Sequence, residues 1–323
     1  MGDSYPFLKG HGTENDFVLL PDPDGSVHGE LDPALVAALC DRHAGIGGDG
    51  VMRAIRTAAY DDPAAVAART EAEWFMDYRN SDGSLSEMCG NGIRLFARYL
   101  ADYEGVDTSQ PVSIGTRGGI KVLTFEDGRS TGSGQRGRIT ADMGSARVLG
   151  ESKVSVGERS WPSVHVDMGN SHAVVFVDDL DEAGPLLDAP VFDESVYPQG
   201  VNIEFVVHRG DRHVAMRVFE RGSGETRSCG TGACAVMVAA ATNNMAAPAQ
   251  PTDGSTPTEW RVDVPGGELD VTWTAEGRVL LTGPAVIVAE GKIPKSFAAA
   301  SVAVQPSSGP GNTTAPADVV ADG

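Results

Sequence analysis

Cys89-Gly90-Asn91-Gly92 recurs as Cys229-Gly230-Thr231-Gly232, 140 residues (229 − 89) further along the chain. Each copy follows a β-rich run that ends in a polar, glycine-rich loop, and each precedes an apolar segment that lacks Gly and Pro. Such a segment predicts a buried helix. The matched stretches are 76–83 with 216–223 for the strand and loop, and 93–100 with 233–240 for the helix. The repeat therefore predicts two similar domains, each presenting one Cys-Gly element.

Short β-branched runs elsewhere are bounded by Gly, Asp and Pro, which is typical of strands. They are residues 120–125, 164–167, 174–177, 214–219, 262–264, 269–273 and 279–281. Their short spacing favours antiparallel hairpins over a doubly wound parallel sheet. We therefore predict an α+β fold of two pseudo-symmetric domains, each a curved, mostly antiparallel sheet around a buried helix, with the active site in the cleft between them.

The predicted domains are residues 1–141 and 142–283, with the boundary near Asp142. Residues 297–323 have no apolar periodicity, and their Pro, Ser, Gly and Thr content predicts a disordered tail. Residues 57–73 form an irregular insert in which Asp61-Asp62-Pro63 predicts the start of one short helix. We interpret this insert as a surface excursion.

Composition and charge exclude several classes of protein. The 323 residues are 41% hydrophobic and 22% charged, which is typical of a globular chain. A formal net charge of −20 argues against nucleic acid and anionic membranes as partners, because clustered Lys and Arg drive both kinds of binding. No apolar run is long enough for a membrane span, and the N-terminus does not resemble a secretory signal. These features predict a cytoplasmic protein whose four cysteines remain thiols.

The two Cys-Gly elements predict a specific chemistry. A cysteine at a helix start lies where free N–H groups stabilise negative charge, so we expect the pKa values of Cys89 and Cys229 to fall from roughly 8.5 toward neutrality. The amides of Gly90-Asn91 and Gly230-Thr231 are predicted to hold a carboxylate. Two such elements facing each other would place a sulfur on each side of an α-carbon. One thiolate would remove the α-proton and the opposite thiol would protonate the other face, which inverts an amino acid.

This chemistry is expected to need neither a metal nor a cofactor. The sequence has no lysine-bound pyridoxal signature, so the amides must stabilise the carbanion. A single Cys-Gly-x-Gly would favour an ordinary buried cysteine, whereas two copies at matched spacing favour the catalytic interpretation. Cys234 lies about 140° around the predicted helix from Cys229 and is interpreted as structural, as is Cys40.

The order of motifs over about residues 7–293 resembles the diaminopimelate epimerase family. The motifs are His11-Gly12-Thr13-Glu14-Asn15-Asp16-Phe17, Asp41-Arg42-His43-Ala44-Gly45-Ile46-Gly47, Asn80-Ser81-Asp82-Gly83-Ser84, Cys89-Gly90-Asn91-Gly92, Gly169-Asn170-Ser171-His172, Asn202-Ile203, Glu220-Arg221-Gly222, Cys229-Gly230-Thr231-Gly232-Ala233 and Thr282-Gly283-Pro284-Ala285. The resemblance implies a cofactor-independent, two-base epimerisation of LL-2,6-diaminopimelate to meso-diaminopimelate in lysine and cell-wall precursor biosynthesis. It also implies that a strand near 284–294 returns to the first domain.

The resemblance assigns roles to individual residues. It makes Cys89 and Cys229 the catalytic pair, and it gives His172 and Glu220 the task of adjusting the thiol pKa values. The residues that it places around the substrate are Asn15, Asn80, Asn170, Asn202 and Arg221. Glu220 is also suited to meet the ammonium group at the reacting centre, and the amides of Gly90, Asn91, Gly230 and Thr231 complete the predicted binding residues. Arg221 is suited to clasp the distal carboxylate in a bidentate pair.

Three positions depart from the family pattern. Ser171 stands where many members have proline, and Gly50 replaces a glutamine that some members use near the substrate. The resemblance implies a homodimer, but Ala289 stands where some members have a tyrosine that is important for dimerisation.

Three alternatives remain open from the sequence. Proline racemase or hydroxyproline epimerase shares the two-cysteine logic, although a cyclic imino acid would leave Arg221 without a distal carboxylate. Cys40-x-x-His43 with Cys229 and Cys234 has partial metal-ligand spacing, so a zinc site is a second alternative. A thiol redox switch, in which Cys89 and Cys229 form a disulfide without turnover, is the third.

Overall fold

The structure is a computed structural model that describes residues 4–126, 137–243 and 257–297. The α-helices of these residues are α1 (Pro33–Cys40), α2 (Pro63–Ala68), α3 (Gly90–Tyr103) and α4 (Gly230–Asn243). The strands are β1 (Ser4–Gly12), β2 (Asn15–Pro21), β3 (Gly50–Arg56), β4 (Trp74–Asn80), β5 (Val112–Gly115), β6 (Lys121–Phe125), β7 (Ile139–Ser145), β8 (Arg147–Val156), β9 (Arg159–Asp167), β10 (Ser171–Phe176), β11 (Val191–Phe192), β12 (Asn202–Gly210), β13 (His213–Glu220), β14 (Gly224–Thr226), β15 (Thr258–Val264), β16 (Gly267–Trp273), β17 (Arg278–Gly283) and β18 (Val286–Pro294).

The strands pair in the same order in both halves of the chain. In the first half β1–β2 is antiparallel, β2–β3 parallel, β3–β4 antiparallel, β4–β5 parallel, and β5–β6 and β6–β7 antiparallel. In the second half β9–β10, β10–β12, β12–β13, β13–β15, β15–β16 and β16–β17 repeat that series step for step. This match confirms the predicted pseudo-symmetric α+β fold. Each run of predicted strand residues also overlaps an observed strand, with at most one residue of the run outside it.

The two halves are joined through their last equivalent strands. β7 pairs antiparallel with β17, from Arg278 opposite Ser145 to Gly283 opposite Ile139. β18 then crosses back and pairs antiparallel with β1, as β8 does with β9 in the other half. This pairing agrees with a returning strand near 284–294. The domain limits themselves stay a prediction, since Asp142 lies inside β7.

Helices α3 and α4 form the centres of the two halves. α3 packs against β1, β2, β7 and β18, while α4 packs against β9, β10, β12, β13 and β15 to β17. Residues 90–100 of α3 are all buried, and in α4 Ala233 to Ala240 are fully buried. Their surroundings explain the absence of Gly and Pro after the first turn, because every position needs both a side chain and a backbone hydrogen bond. Cys40 and Cys234 are buried in the core, which fits their interpretation as structural.

The insert at residues 57–73 is more than a surface excursion. Asp62 caps α2 by accepting from the Ala64 N–H at 2.9 Å, which confirms the predicted helix start. Ala65 is fully buried with Ile55 and Phe75 in a small core of its own. Most residues of the insert are exposed, as the prediction implies, while the alanine face of α2 packs on Ile55 and Phe75.

The predicted tail, 297–323, lies outside the described residues except for Phe297, which packs against the cluster that contains Tyr5 and Ile293. Within the part of the chain that the structure describes, no helix is long and apolar enough to cross a bilayer.

Candidate active site

Cys89 and Cys229 occupy equivalent positions at the starts of α3 and α4. The Cys89 Sγ accepts a hydrogen bond from the Gly92 N–H, and the Cys229 Sγ accepts one from the Gly232 N–H, both at 3.4 Å. The first turn of each helix is thus capped by a sulfur, as serine or aspartate caps other helices. The sequence repeat therefore becomes a geometric repeat.

The two helix starts touch each other through their glycines. A Cβ on Gly90 would lie 3.2 Å from the Cα of Gly230, and a Cβ on Gly230 would lie 3.0 Å from the Cα of Gly90. Both glycines are required by this close approach, since any side chain would push the helices apart. The N–H groups of the two first turns consequently converge on one place.

That place is a cleft of about 350 Å³. Eleven of the predicted site residues line it, and they are Asn15, Asn80, Cys89, Gly90, Asn170, Asn202, Glu220, Arg221, Cys229, Gly230 and Thr231. His172 and Asn91 are fully buried behind the wall and do not line the cleft. The structure therefore brings together residues from both halves of the sequence.

The thiol pKa values run opposite to the expectation from helix position. Burial raises the pKa of Cys89 to about 11, and burial together with Glu220 raises the pKa of Cys229 well above its usual value. The N–H groups of Gly92 and Asn91 do lower the pKa of Cys89, but by less than burial raises it. The predicted fall toward neutrality was wrong, because the loss of water around the thiols outweighs the effect of the helix N-terminus on their pKa values.

Asn15 connects Cys89 to a carboxylate that the sequence analysis missed. The Cys89 thiol donates to Asn15 Oδ1 at 3.4 Å, and Asn15 Nδ2 donates to Asp49 Oδ2 at 2.6 Å. Asp49 lines the cleft, and burial followed by the charge of Asp16 raises its pKa. Only a fold that pairs β2 with the start of β3 brings Asp49 here, so the sequence alone gave little signal for it.

Glu220 lies next to Cys229, as Asn15 lies next to Cys89. It lines the cleft at the end of β13, and the Thr226 hydroxyl donates to its Oε1. Burial raises the pKa of Glu220, while hydrogen bonds from Thr226 and Cys229 lower it. A carboxyl group in this setting can accept a proton or pair with an ammonium group at modest cost.

His172 belongs to a buried chain of polar groups that ends at the cleft. Its Nδ1 is 2.6 Å from Glu204 Oε1 and its Nε2 is 3.0 Å from Asn170 Oδ1, while Asn170 Nδ2 donates to Thr231 Oγ1 at 3.3 Å. His172 and Glu204 are both fully buried. The parallel pairing of β10 with β12 brings them together. Glu204 was missed because it lies in an otherwise ordinary apolar strand.

Arg221 lies at the more open end of the cleft. Its backbone N–H donates to Asn202 Oδ1 at 2.9 Å, and its Nη1 donates to the carbonyl of Gln199 at 2.6 Å. Gly200 has φ +79°, and a Cβ there would lie 2.7 Å from Arg221 Cδ. The turn before β12 is thus shaped to let the arginine lie across it. Asn80 Nδ2 donates to Ser84 Oγ at 3.0 Å on the facing loop.

Tyr78 fills the space that Gly50 leaves. A Cβ on Gly50 would lie 2.6 Å from Tyr78 Cε2 and 3.3 Å from its hydroxyl. Tyr78 lines the cleft, and burial raises its pKa well above the usual value. Gly50, which departs from the family pattern, therefore accommodates the ring of Tyr78. The sequence alone does not show this contact, because it depends on the pairing of β3 with β4.

The structure does not support the zinc alternative. Across residues 4–126, 137–243 and 257–297, no three His, Cys, Asp or Glu side chains lie close enough together to hold a metal ion. Cys40 packs in the core around α1, whereas Cys229 and Cys234 lie in the central core. All four cysteines are free thiols.

Comparison with known proteins decides the family. The sequence matches the diaminopimelate epimerase family over residues 7–149 and 164–288. The chain belongs to the diaminopimelate epimerase family. It is 54% identical to the diaminopimelate epimerase of Streptomyces coelicolor over 299 residues, which cover 92% of this chain and 98% of that protein. It is 44% identical to that of Thermobifida fusca, with 89% and 97% covered.

Solved structures share the fold at low identity. A Bacillus anthracis protein of the PhzF phenazine biosynthesis family aligns with a TM-score of 0.62 and 16% identity, covering 91% of this chain and 99% of that one. A hydroxyproline epimerase from Agrobacterium vitis aligns with a TM-score of 0.61 and 16% identity, covering 90% and 92%. These likenesses support the fold of this family member and carry no further argument about its substrate.

Proposed function

We propose that this chain interconverts LL- and meso-2,6-diaminopimelate by moving protons between Cys89 and Cys229. The observation that carries the proposal is the pair of sulfur-capped helix starts, one from each half, which touch at Gly90 and Gly230 and line one cleft. Membership of the family supplies the substrate. We place the reaction in lysine and cell-wall precursor biosynthesis in the cytoplasm, as the sequence predicts.

In the proposed reaction the α-carboxylate accepts hydrogen bonds from the free N–H groups at the starts of α3 and α4. One cysteine, as thiolate, takes the α-proton, so that its S–H bond forms as the C–H bond breaks. The electron pair left on carbon spreads into the carboxylate. The opposite thiol then gives its proton to the other face and becomes the thiolate. The two sulfurs have exchanged roles, and the reverse reaction runs in the same way.

The ends of the cleft suit the two ends of the substrate. Glu220 and Asp49 are carboxyl groups that line the cleft together with the cysteines, and we assign them to the ammonium group at the reacting carbon. Arg221 supplies the cation for the distal carboxylate, and Asn80, Asn170 and Asn202 supply neutral donors and acceptors around it. This division gives a reason for a substrate with two amino-acid ends rather than one. A homodimer stays a prediction, with Ala289 exposed on β18.

The test is epimerisation of LL-diaminopimelate in heavy water. We expect one deuterium at the inverted centre, and the same turnover after dialysis against a metal chelator. Cys89→Ala and Cys229→Ala should each lower kcat by about a thousandfold or more while the fold is kept, since inversion needs a group on each face.

Cys40→Ala is the matched control, because Cys40 is a buried thiol that does not line the cleft. It should keep its activity. Substantial epimerisation by either cleft variant would disprove the two-base mechanism. Exchange of the α-hydrogen of proline but not of diaminopimelate would instead favour the proline racemase alternative.

A further inference from the structure

Arg94 is a fully buried guanidinium in the second turn of α3. Among the residues that the structure describes, no carboxylate forms an ion pair with it, whereas Arg53, also fully buried, has both Asp22 and Asp77 as partners. Burying a cation without a counter-ion is costly, so such groups are rare without a functional reason.

Three separate segments enclose this guanidinium. Its Nη1 donates to the Gly90 carbonyl at 2.9 Å, and its Nη2 donates to Asn91 Oδ1 at 2.8 Å. A Cβ on Gly12 would lie 3.2 Å from Nη2, and a Cβ on Gly283 would lie 3.1 Å from it. Gly12 of the first motif and Gly283 of the last thus make room for Arg94, which follows the motif Cys89-Gly90-Asn91-Gly92.

Through Asn91, Arg94 also reaches the other half of the chain. Asn91 Nδ2 donates to the carbonyl of Ser228 at 3.1 Å and to its hydroxyl at 3.1 Å. The same amide lies 3.3 Å from Asn15 Oδ1, the atom that accepts from the Cys89 thiol. The hydrogen bond from Arg94 therefore holds the amide that ties the start of α3 to the residue before Cys229.

The ionisable groups near Arg94 come from the start of α3, from α4 and from the residue before β7. Cys89 and Cys234 face it as groups that become negative on ionisation, and Arg138 faces it as a second cation. Burial lowers the pKa of Arg94 to about 10, which still leaves it charged at neutral pH. Arg94 in turn lowers the pKa of Cys89, against the effects of burial and Glu220.

We infer that Arg94 is a positioning residue of the site. Its fixed positive charge beneath the two helix starts stabilises the anions that form there, and its hydrogen bonds hold Gly90 and Asn91 in place. This inference rests on the proposed function for the identity of one anion, the substrate carboxylate. The other is the Cys89 thiolate, whose formation does not require substrate. Carboxyl groups of Asp49, Glu87 and Glu220 line the cleft in a chain of net charge −20, so a buried cation offsets their repulsion of both anions.

The test compares Arg94→Gln, Arg94→Lys and the control Arg98→Gln. Arg98 lies one turn further along α3, is also buried, and bonds to the Gly137 carbonyl away from the cleft. The first readout is the rate at which iodoacetamide alkylates Cys89 as a function of pH, followed by peptide mapping in the absence of substrate. The second is kcat and KM for LL-diaminopimelate, and melting temperatures show which variants are folded.

Arg94→Gln should move the alkylation profile of Cys89 up by about one pH unit or more, because the thiolate loses its nearby cation. It should also lower kcat/KM by about a hundredfold. Arg94→Lys should leave the alkylation profile near that of the unmodified protein but still lower kcat/KM by about tenfold, since an ammonium cannot reproduce the planar fork. Arg98→Gln should leave the profile and kcat unchanged, whatever its melting temperature.

An alkylation profile for folded Arg94→Gln that coincides with those of the unmodified protein and of Arg98→Gln would overturn the inference. If Arg94→Gln does not fold, Arg94→Lys becomes the test of the inference. Unchanged kcat/KM in Arg94→Lys would then overturn the inference. Failure of the proposed function looks different: the unmodified protein would not epimerise diaminopimelate, while the alkylation of Cys89 would still report on Arg94.

Discussion

At the scale of the residue, loss of water governs the thiols more strongly than their helix positions do. Cys89 and Cys229 have raised pKa values although each caps a helix, because both thiols are buried in the cleft. The sequence supplied the capping position but not the depth of burial. Asp49, Tyr78, Arg94 and Glu204 were missed for a related reason: each acquires its role from a neighbour that is distant in sequence, and nothing in its local pattern marks it.

The buried thiols also predict how stability depends on pH. Burial raises the pKa of Cys234 from 9.0 to about 12. A group whose pKa is higher in the folded state stabilises the fold below the unfolded value, and this contribution is lost as the pH rises from about 9 toward 12. Cys234→Ala should therefore lower the melting temperature at pH 7, because it leaves a cavity. It should also reduce the further fall in melting temperature between about pH 8 and about pH 10.5, because the ionising thiol is gone. Melting curves of both proteins across this range test it, and parallel losses would contradict the prediction.

The pair of His172 and Glu204 gives a second prediction at this scale. Glu204→Gln keeps the shape but weakens the bond to His172 Nδ1, and we expect a loss of about 1–3 kcal/mol in the free energy of unfolding, because both partners are fully buried. kcat should fall about tenfold as Asn170 and Thr231 lose their support. Urea unfolding and steady-state kinetics measure the two effects.

The matched control is Asp263→Asn, which weakens the same kind of pair at the surface. His213 Nε2 lies 2.8 Å from Asp263 Oδ2, and both side chains are about 30% exposed. An exposed pair contributes about 0–1 kcal/mol, so this variant should be nearly unchanged. Equal losses of stability in both variants would show that burial does not distinguish the pairs.

At the scale of the element, helices α3 and α4 are the part of the site that the sequence predicted best. The repeated Cys-Gly-x-Gly indicated two helix starts, and the apolar segments after them indicated two buried helices, as observed. The sequence did not indicate that the two starts touch. That contact depends on the pairing of β7 with β17, which joins strands more than 130 residues apart, and no local propensity encodes such a pairing.

Gly90→Ala tests this contact. The new Cβ would lie 3.0 Å from Met143 Cε and 3.2 Å from Gly230 Cα, so α3 and α4 must move apart. We expect kcat to fall about a hundredfold, since the N–H groups would no longer converge on one carboxylate. Gly210→Ala is the control, because nothing lies within 4 Å of its Cβ position. Similar kcat values for the two variants would mean that the spacing of the helix starts is unimportant.

At the scale of the whole molecule, the two ends of the described chain complete one sheet. β18 pairs with β1 from Ser4 opposite Pro294 to His11 opposite Val286. Ile293 and Tyr5 also share a buried cluster with the residues of α1. The sheet of the first half is therefore completed by β18, a strand from the other end of the described chain. The sequence of the first half alone does not predict this strand.

A chain that ends at Gly283 should consequently fail to fold, because it loses every β1–β18 hydrogen bond and leaves the cluster around Tyr5 open to water. A chain that ends at Phe297 keeps all the described elements and should retain its melting temperature and activity. Circular dichroism and melting curves compare the two. A cooperative transition in the shorter chain would show that β18 is dispensable.

The matching order of strands has a consequence for ancestry. An identical series of parallel and antiparallel steps in both halves is the pattern that duplication and fusion of one gene would leave, and two copies of such a single-length chain would form a symmetric site that treats both faces of a carbon alike. Fusion into one polypeptide freed equivalent positions to diverge: Glu220 now stands opposite Asn80, and Arg221 opposite Ser81, at the same 140-residue offset. Proton transfer needs the symmetry that was inherited. Discrimination between the reacting end and the distal end of the bound substrate needs the asymmetry that Glu220 and Arg221 supply in one half only.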